Sequence, residues 1–434
     1  MPLPTPRAAL LLALGAAVAV AAAGAPWLAG GLALLDVLVL GLVLADGLRA
    51  PRAADLRAAR RMREPLSAFA ANRVELTVEN LGGRAARLEL ADTPPADFDS
   101  RGHRTRLELP PGGSAVLAYQ VEPRSRGDAT FGDLHLLAAG PLGLAARALR
   151  LPLARTVRVY PDLRALAVLP GAHSAEPGRR RTRGPHEGRE FEALRPYLPG
   201  DDLRAVDWKA TARRGAPVVR AFQPERNQTL WLLVDEGRHL SARLADGRTK
   251  LDHAVDAALA LARAAVQRGD RAGAVLFGTE VTRVVAPGSG RAQLGPLADA
   301  LHAATARVEE SDYGAAFDAL STRQRRRALV VLFTDLADPD TSALLLARAA
   351  LLCRRHLVVV AAVADSEIAD AARARPRDAG EAYARLAAER ILDEREAATA
   401  RLAAAGVRVE SVPARELAAA VVGRYLAVKA RGEL

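Results

Sequence analysis

The segment Gly188–Phe222 reads GREFEALRPYLPGDDLRAVDWKATARRGAPVVRAF, and it is the least regular part of the chain. A core strand would show a period of two and a core helix a period of 3.6, but this segment shows neither. It nevertheless contains Phe191, Tyr197 and Trp208 in a protein with an aromatic content of only 4%. We therefore predict a segment of fixed shape that lies against the following domain, with Trp208 and Phe222 buried there.

The same segment resembles the signature of a bacterial family, domain of unknown function 58. The matching residues, in chain order, are Arg195, Tyr197, Pro199, Gly200, Asp201, Asp202, Asp207, Trp208, Lys209, Ala212 and Arg213. The resemblance implies a membrane protein with a von Willebrand factor A-like domain. It also implies a partner, an AAA+ ATPase of the MoxR type, in systems that mature or activate other proteins.

The carboxylates of the signature have two interpretations. Asp201, Asp202 and Asp207 could act as general acids or bases. However, they alternate with arginines, which would form ion pairs with them and keep them ionised. We predict a fixed polar network and keep acid–base chemistry as the alternative.

Length and composition limit the classes of protein. A chain of 434 residues is too long for one compact core, so two or three domains are expected. The net charge of +11 comes from arginines spread along the chain. This is either a compositional bias or a basic face for anionic lipid, and no nucleic-acid partner is expected, because basic and aromatic residues are not interleaved. The single cysteine, Cys353, excludes a disulfide framework and a Cys/His zinc site.

Two apolar stretches open the chain. Residues 8–25 carry no charge and residues 27–45 carry only Asp36. Each is about 20 residues, enough to cross a hydrocarbon core of about 30 Å. We predict a transmembrane hairpin over residues 1–50 in the bacterial inner membrane, so the lipid bilayer is a predicted partner. The arginines after residue 48 predict that the folded domains face the cytoplasm. Cleavage of a signal peptide within residues 1–25 is the alternative.

Residues 51–227 change character three times. Residues 51–72 are predicted to be an amphipathic, Arg-rich connector. Over residues 73–165 short alternating segments are separated by Gly/Pro turns, which predicts a small antiparallel β-sandwich. Residues 166–227 are predicted to be a linker that contains the signature segment.

Residues 228–434 are predicted to form an α/β domain. Continuous apolar runs at 229–234, 272–277, 329–333, 357–363 and 407–412 alternate with helical stretches, which indicates a parallel sheet covered on both faces. Function in such sheets gathers at the carboxyl ends of the strands, where Asp235 and Asp335 lie.

The runs that end before Asp235 and Asp335, residues 229–234 and 329–333, look like the first and fourth strands of the von Willebrand factor A fold. The resemblance implies a divalent cation held by Asp235, Asp335, Asp312 and Thr334, whose hard oxygen donors suit Mg²⁺. The first loop reads Asp-Glu-Gly-Arg-His at 235–239, so both serines of the family's loop are replaced. Three alternatives stay open: an altered, degenerate Mg²⁺ site, a lost site whose carboxylates pair with arginines or cap helices, and metal-dependent hydrolysis.

No nucleotide-binding or hydrolase motif is present. The chain lacks a Gly-Lys-Ser/Thr phosphate loop, a Gly-x-Ser-x-Gly elbow and a His-Glu-x-x-His pair. We predict a membrane-anchored interaction protein that is not an enzyme and has no cofactor, apart from Mg²⁺ at the degenerate site. The MoxR-type ATPase would supply ATP hydrolysis. The alternative is a metal-dependent or carboxylate-based enzyme.

Overall fold

A computed structural model describes residues 2–21, 26–161, 189–198, 206–224, 227–336 and 339–434. The chain divides into two compact units, Met1–Tyr160 and Pro161–Leu434. Each unit is described by itself.

The first unit combines two helices with three small sheets. Its helices are α1 (Pro6–Ala21) and α2 (Pro26–Arg49). Its strands are β1 (Pro2–Pro4), β2 (Leu56–Met62), β3 (Leu66–Ser67), β4 (Asn72–Asn80), β5 (Ala86–Ala91), β6 (Phe98–Arg101), β7 (Arg104–Leu109), β8 (Ser114–Pro123), β9 (Gly127–Phe131), β10 (Leu134–Ala139), β11 (Ala145–Leu151) and β12 (Arg155–Tyr160).

The sheets of this unit are mostly antiparallel. Their strand orders are β1-β11-β10-β5-β7, β2-β4-β8-β6 and β3-β12-β9. The β3–β12 pair is parallel, whereas β12 and β9 run antiparallel. Alternate residues of β4 are buried, as the period of a strand requires when one face is covered. Leu76 and Val78 of β4 pack in one core with Leu88 of β5 and Leu136 of β10, so two of the sheets face each other across this core.

Polar groups are also buried in this unit. Arg60 of β2 donates from Nε to Oδ2 of Asp92 at 2.9 Å and lies 4.9 Å over the ring of Phe131. Asp46 of α2 accepts backbone N–H groups of Leu142 and Leu144 at 2.7 and 2.8 Å, which connects the helix to the turn before β11. Both carboxylates satisfy donors that would otherwise be buried without partners.

The second unit is built on one large sheet. Its strands are β13 (Arg189–Pro196), β14 (Val218–Pro224), β15 (Thr229–Asp235), β16 (Arg271–Phe277), β17 (Val281–Gly288), β18 (Leu329–Thr334), β19 (Leu357–Ala364) and β20 (Arg408–Pro413). Its helices are α3 (Trp208–Arg214), α4 (Lys250–Gln267), α5 (Leu294–His302), α6 (Tyr313–Arg323), α7 (Pro339–Cys353), α8 (Ser366–Arg373), α9 (Ala379–Ala404) and α10 (Leu417–Arg431).

Six strands form this sheet in the order β17-β16-β15-β18-β19-β20. The four pairs from β16 to β20 run parallel, and the edge strand β17 runs antiparallel to β16. On one face Trp231 and Leu233 of β15 pack in a core with Phe317 of α6 and Leu402 of α9. On the other face α4 contacts β15 and α10. β13 and β14 form a separate antiparallel pair.

The fold class predicted for the whole chain is wrong. Antiparallel sheets make up most of the first unit, and the large sheet of the second unit is mixed because β17 runs against its neighbour. The predicted hairpin of residues 1–50 is also corrected. With 16 residues, α1 is about 24 Å long, shorter than a hydrocarbon core of about 30 Å. α2 carries Asp36, Asp46 and Arg49.

Across the residues that the structure describes, no helix is long and apolar enough to cross a membrane. The predicted location at the bacterial inner membrane is a separate matter that this finding does not test, and it remains a prediction.

The connector predicted for residues 51–72 is corrected as well. β2 lies inside this range and pairs with β4 from Leu56↔Asn80 to Met62↔Val74. The arginines of the range concealed the strand, because the sequence alone does not show that Asp92 would accompany Arg60 into the interior.

Candidate functional site

Two neighbouring parallel strands of the second unit end in oxygen-bearing side chains. In the register of β15 and β18, Val234 pairs with Phe333, so Asp235 and Thr334 follow at the same level of the sheet. Thr334 donates to Oδ2 of Asp235 at 2.6 Å, and Asp335 is the next residue. All three side chains are buried. The carboxyl end of the sheet therefore holds an enclosed polar group.

Hydroxyl and amide groups surround Asp235. Tyr313, the first residue of α6, donates to Oδ2 at 3.0 Å and lies 2.8 Å from the hydroxyl of Thr334. Oδ1 accepts the hydroxyl of Ser311 and the backbone N–H of Gly237, the latter at 2.8 Å. Both carboxylate oxygens are thus hydrogen-bonded within the chain.

Gly237 is required at its position by this packing. A Cβ atom added there would lie 2.0 Å from Oγ of Ser311. The loop after β15 therefore lacks a side chain at this point because Ser311 comes close enough to reach Asp235.

Asp335 is bound by two cations of the chain. Nζ of Lys250, the first residue of α4, lies 2.6 Å from Oδ2. Nη2 of Arg395 of α9 lies 2.5 Å from Oδ1, which also accepts the backbone N–H of Leu336 at 2.7 Å. All three charged side chains are buried. We call Asp235, Ser311, Tyr313, Thr334, Asp335, Lys250 and Arg395 the carboxyl-end cluster.

Tyr313 is held as a neutral donor. Burial raises the pKa of its phenol well above the usual value of 10.0, and the negative charge of Asp235 raises it further. A phenol of this kind keeps its proton at neutral pH and donates it in a hydrogen bond, so it cannot act as a base or nucleophile.

Glu236, next to Asp235, is also buried. Its carboxylate accepts the hydroxyl of Thr282 of β17 and the backbone N–H of Thr305 at 3.1 Å. Its carbonyl accepts the N–H of Arg307 at 2.7 Å. The residue anchors the loop before α6 over the carboxyl-end cluster.

A divalent cation does not fit this arrangement. Mg²⁺ requires oxygen ligands at about 2.0–2.1 Å in near-octahedral geometry. Both oxygens of Asp335 are occupied by ammonium and guanidinium groups, and both oxygens of Asp235 accept hydrogen bonds. In the described part of the chain, no three Asp, Glu, His or Cys side chains form a group that could hold a metal ion.

The other predicted ligand, Asp312, lies outside the cluster. It is the N-cap residue of α6 and accepts the N–H of Ala315 at 3.0 Å. Its carboxylate is exposed. The structure therefore brings together Asp235, Thr334 and Asp335 but not Asp312.

The signature segment is described in part. Pro199, Gly200, Asp201 and Asp202 lie outside the described residues. Asp207 is the N-cap of α3 and accepts the N–H of Ala210 at 2.9 Å. Arg195 lies on β13, Tyr197 follows it, and Lys209 and Arg213 lie on α3, where both side chains are exposed.

The predicted burial of Trp208 is wrong, because this side chain is 69% exposed. It is the first residue of the short helix α3, and the scarcity of aromatic residues suggested a core position that the helix does not provide.

Lys250 and Arg395 were missed by reasoning from the sequence, although each leaves a weak signal. Lys250 starts a helix, where a positive charge opposes the macrodipole, so it needs a partner elsewhere. Arg395 lies seven residues after Ala388 and three before Ala398, at helical spacing on the buried side of α9. A charged residue in such a stripe indicates a buried ion pair.

The geometry defines a class: a mixed α/β unit whose carboxyl-end acids are enclosed and charge-paired, in a chain that also contains an antiparallel β unit. Residues 193–403 match the family described as "Protein of unknown function DUF58", which confirms the resemblance that the signature segment indicates.

Relatives of this chain are themselves uncharacterized. The chain is 37% identical to "Uncharacterized protein Rv1480" of Mycobacterium tuberculosis over 161 aligned residues. The alignment covers 36% of this chain and 49% of that protein. It is 29% identical over 124 residues to "Uncharacterized protein YeaD" of Bacillus subtilis, covering 28% and 31%. The chain spans about half the length, or less, of these relatives.

Similarity to solved structures is weak. The crystal structure of conserved hypothetical protein BatB from Bacteroides thetaiotaomicron aligns with 47% of this chain and 100% of its own. The TM-score is 0.33 and the identity 12%, too low to support an argument about function.

Proposed function

We propose that this protein is an interaction protein that binds a partner through the carboxyl-end surface of its α/β unit. By the family resemblance, the partner is an AAA+ ATPase of the MoxR type, in the maturation or activation of other proteins. The observation that carries the proposal is the enclosure of the carboxyl-end acids: Asp235 and Asp335 are 0% and 3% exposed, and all four carboxylate oxygens have partners.

Enclosure argues against chemistry at this edge. A general acid or base must come within hydrogen-bond reach of the substrate atom that it serves. Asp235 and Asp335 would first have to give up Tyr313, Thr334, Lys250 and Arg395. A buried and satisfied network of this kind stiffens the domain that contains it.

The loop above the cluster supplies the surface for recognition. It runs from Thr305 to Asp312 and includes Val308, which is 85% exposed. Backbone hydrogen bonds hold the loop at both ends, from Arg307 to Glu236 at 2.7 Å and from Asp312 to Gly278 at 2.8 Å. Apolar side chains on a preorganised backbone are suited to anchoring a partner, because little conformational entropy is lost on binding.

Charged residues flank Val308 on this surface. Glu309 accepts the backbone N–H of Arg238 at 2.8 Å, and the carboxylate of Glu310 lies 2.5 Å from Arg238. An apolar anchor surrounded by polar groups is the usual composition of a protein–protein interface. The Val308 loop is therefore the docking element of the proposal.

The test is co-purification and binding. The full chain is co-expressed with a MoxR-type AAA+ ATPase of the same organism, and binding is measured by biolayer interferometry. We expect a complex, and we expect Val308→Asp to weaken it at least about tenfold, since anchor residues contribute 2 kcal/mol or more. Leu386→Asp is the matched control, because Leu386 is a 61% exposed apolar residue on α9.

Two outcomes contradict the proposal. One is recovery of the native protein without an ATPase partner after gentle extraction. The other is equal binding of the ATPase by the parent and by Val308→Asp.

A further inference from the structure

Arginine side chains gather at the opposite edge of the six-stranded sheet, where its parallel strands begin. Thr229 pairs with Arg271, Leu230 with Leu329, and Leu329 with Leu357. The residues just before β15, β18 and β19 therefore reach the same edge. We call the set that gathers there the basic edge; its members are Arg271, Arg323, Arg325, Arg326, Arg327, Arg354 and Arg355.

Among the described residues, these side chains have no acidic partners. All seven are exposed. Arg323 and Arg271 donate to backbone carbonyls, of Ala319 and Pro287, each at 2.9 Å. In the ranges that the structure describes, none of the seven forms an ion pair with an acidic side chain. Exposed like charges gathered at one edge repel one another, and a bound anion would relieve this repulsion.

The basic edge is concave. A cavity of roughly 500 Å³ is lined by Arg271, Arg323 and residues 325–327, together with Gln228, Gln324 and Leu434. A second cavity, of roughly 190 Å³, shares Gln324 and is lined by Arg348, Arg355, His356 and one acid, Asp318. The larger volume lies within the usual range for small-molecule sites, about 300–1,000 Å³.

Two buried polar atoms in these walls have no partner in the described part of the chain. They are Oε1 of Gln228 and Nδ1 of His356. His356 is only 4% exposed. Burial lowers the pKa of its imidazole, and the nearby charges of Arg355 and Arg327 lower it further. Unsatisfied polar groups are costly in a native structure, and Nδ1 of His356 can donate to a ligand oxygen in one tautomer, whereas Oε1 of Gln228 only accepts and gives no support to an anion.

We propose that the basic edge binds a compact polyanion that carries several phosphate groups. Guanidinium groups match phosphate oxygens with paired, charge-assisted hydrogen bonds, and five of them line the larger cavity. Nδ1 of His356 supplies one more donor at the second cavity. This inference concerns the edge opposite the Val308 loop and is independent of the proposed function.

The geometry favours a small molecule over a polymer or a membrane. Single-stranded nucleic acid needs aromatic platforms on which bases stack. Among the described residues, the aromatic side chains in the walls of the two cavities are Phe317 and His356, and both are buried. A membrane presents a broad plane of headgroups, whereas here the arginines line a cavity between strand ends and helices.

The experiment titrates the full chain with inorganic triphosphate by isothermal calorimetry at fixed ionic strength. We expect saturable binding to one site, and at least about tenfold weaker binding after the double change Arg326→Gln and Arg327→Gln, because each change removes a charge-assisted hydrogen bond to phosphate. The matched control is Arg373→Gln with Arg375→Gln. It removes the same charge from exposed positions after the carboxyl end of β19.

Each other outcome overturns the proposal. Equal weakening by the control pair would show a general effect of net charge. Absence of saturable binding to triphosphate would exclude the site. Retention of the parent chain by vesicles of phosphatidylglycerol, or by single-stranded oligonucleotides, without triphosphate binding would assign the edge to lipid or nucleic acid instead.

Discussion

The ammonium group of Lys250 lies 2.6 Å from Oδ2 of Asp335, and both side chains are buried. The resemblance to cation-binding domains implies a divalent ion beside this carboxylate. The chain instead supplies a positive charge from the first residue of α4, and a second one from Arg395 of α9. The carboxyl-end cluster therefore balances the charge of Asp335 with its own side chains.

Removal of Lys250 tests this relationship. Lys250→Met leaves Asp335 buried with one of its two cations, and breaking a buried ion pair typically costs 3–5 kcal/mol. Since Arg395 remains, we expect a loss near the lower end, about 3 kcal/mol in the free energy of unfolding, measured by urea titration with tryptophan fluorescence. Lys209→Met, at an exposed position of α3, is the control. Equal stability of the two variants would contradict the pairing.

Titration with Mg²⁺ tests whether the carboxyl-end cluster can bind a divalent cation. Because the oxygens of Asp235 and Asp335 already accept donors from the chain, we expect the same heats when Mg²⁺ is titrated into the parent and into Asp235→Ala. The measurement is isothermal calorimetry. A saturable heat in the parent that disappears in Asp235→Ala would establish the altered cation site instead.

Tyr313 connects Asp235 to Thr334, at 3.0 and 2.8 Å. In Tyr313→Phe a charged carboxylate loses one donor, and hydrogen bonds to charged groups contribute about 1.5–3 kcal/mol. We expect a destabilisation in this range by urea titration. Tyr383→Phe removes a hydroxyl from a side chain that is 75% exposed and serves as the control. The hydrogen-bonding role fails if the control loses as much stability as Tyr313→Phe.

The parts of this site that sequence could predict are those encoded locally. Asp235 and Thr334 end continuous apolar runs, which places them at strand ends, and the structure has them 2.6 Å apart. Lys250 and Arg395 are 85 and 60 residues from Asp335 in sequence, so their pairing depends on how α4 and α9 pack. No local sequence pattern predicts this pairing. The only local signals are that Lys250 begins α4 and that Arg395 lies on the buried side of α9.

The errors in the fold have a related origin. Apolar composition alone could not separate α1 from a spanning helix, because the criterion is the length of the helix and not of the apolar run. Trp208 was assigned to a core because it is a rare aromatic residue, although rarity does not determine burial. β2 was missed because Arg60 is stabilised inside by Asp92, which lies 32 residues away.

The signature residue Asp207 can be tested as a helix cap or as a catalytic acid. As the N-cap of α3 it accepts the N–H of Ala210 at 2.9 Å. Asn caps helices about as well as Asp, whereas Ala costs about 1 kcal/mol. We expect Asp207→Ala to increase amide hydrogen exchange in α3 about fivefold and Asp207→Asn to leave it close to the parent. Equal exchange in all three proteins would remove the capping role. An activity lost in Asp207→Asn, which keeps the cap, and in Asp207→Ala as well would support the enzyme alternative.

Acid should weaken the second unit through His356. Burial, Arg355 and Arg327 lower the pKa of this imidazole below the usual 6.5, so the folded state holds it neutral while the unfolded chain takes up a proton. The stability that the neutral ring contributes is therefore fully present above pH 6.5 and is lost as the pH falls toward the lowered pKa. His253, whose pKa is also lowered by burial and by Arg248, acts in the same direction. We expect the urea midpoint of the parent to fall between pH 7.5 and 5.5, and to fall less in His356→Gln, with His253 accounting for the remainder. A parent and a variant with the same pH dependence would show that His356 takes up its proton equally in the folded and unfolded states.

The same titration can be repeated with inorganic triphosphate. If His356→Gln flattens the pH dependence of the urea midpoint, triphosphate should also flatten the pH dependence of the parent, because bound phosphate would favour the protonated ring.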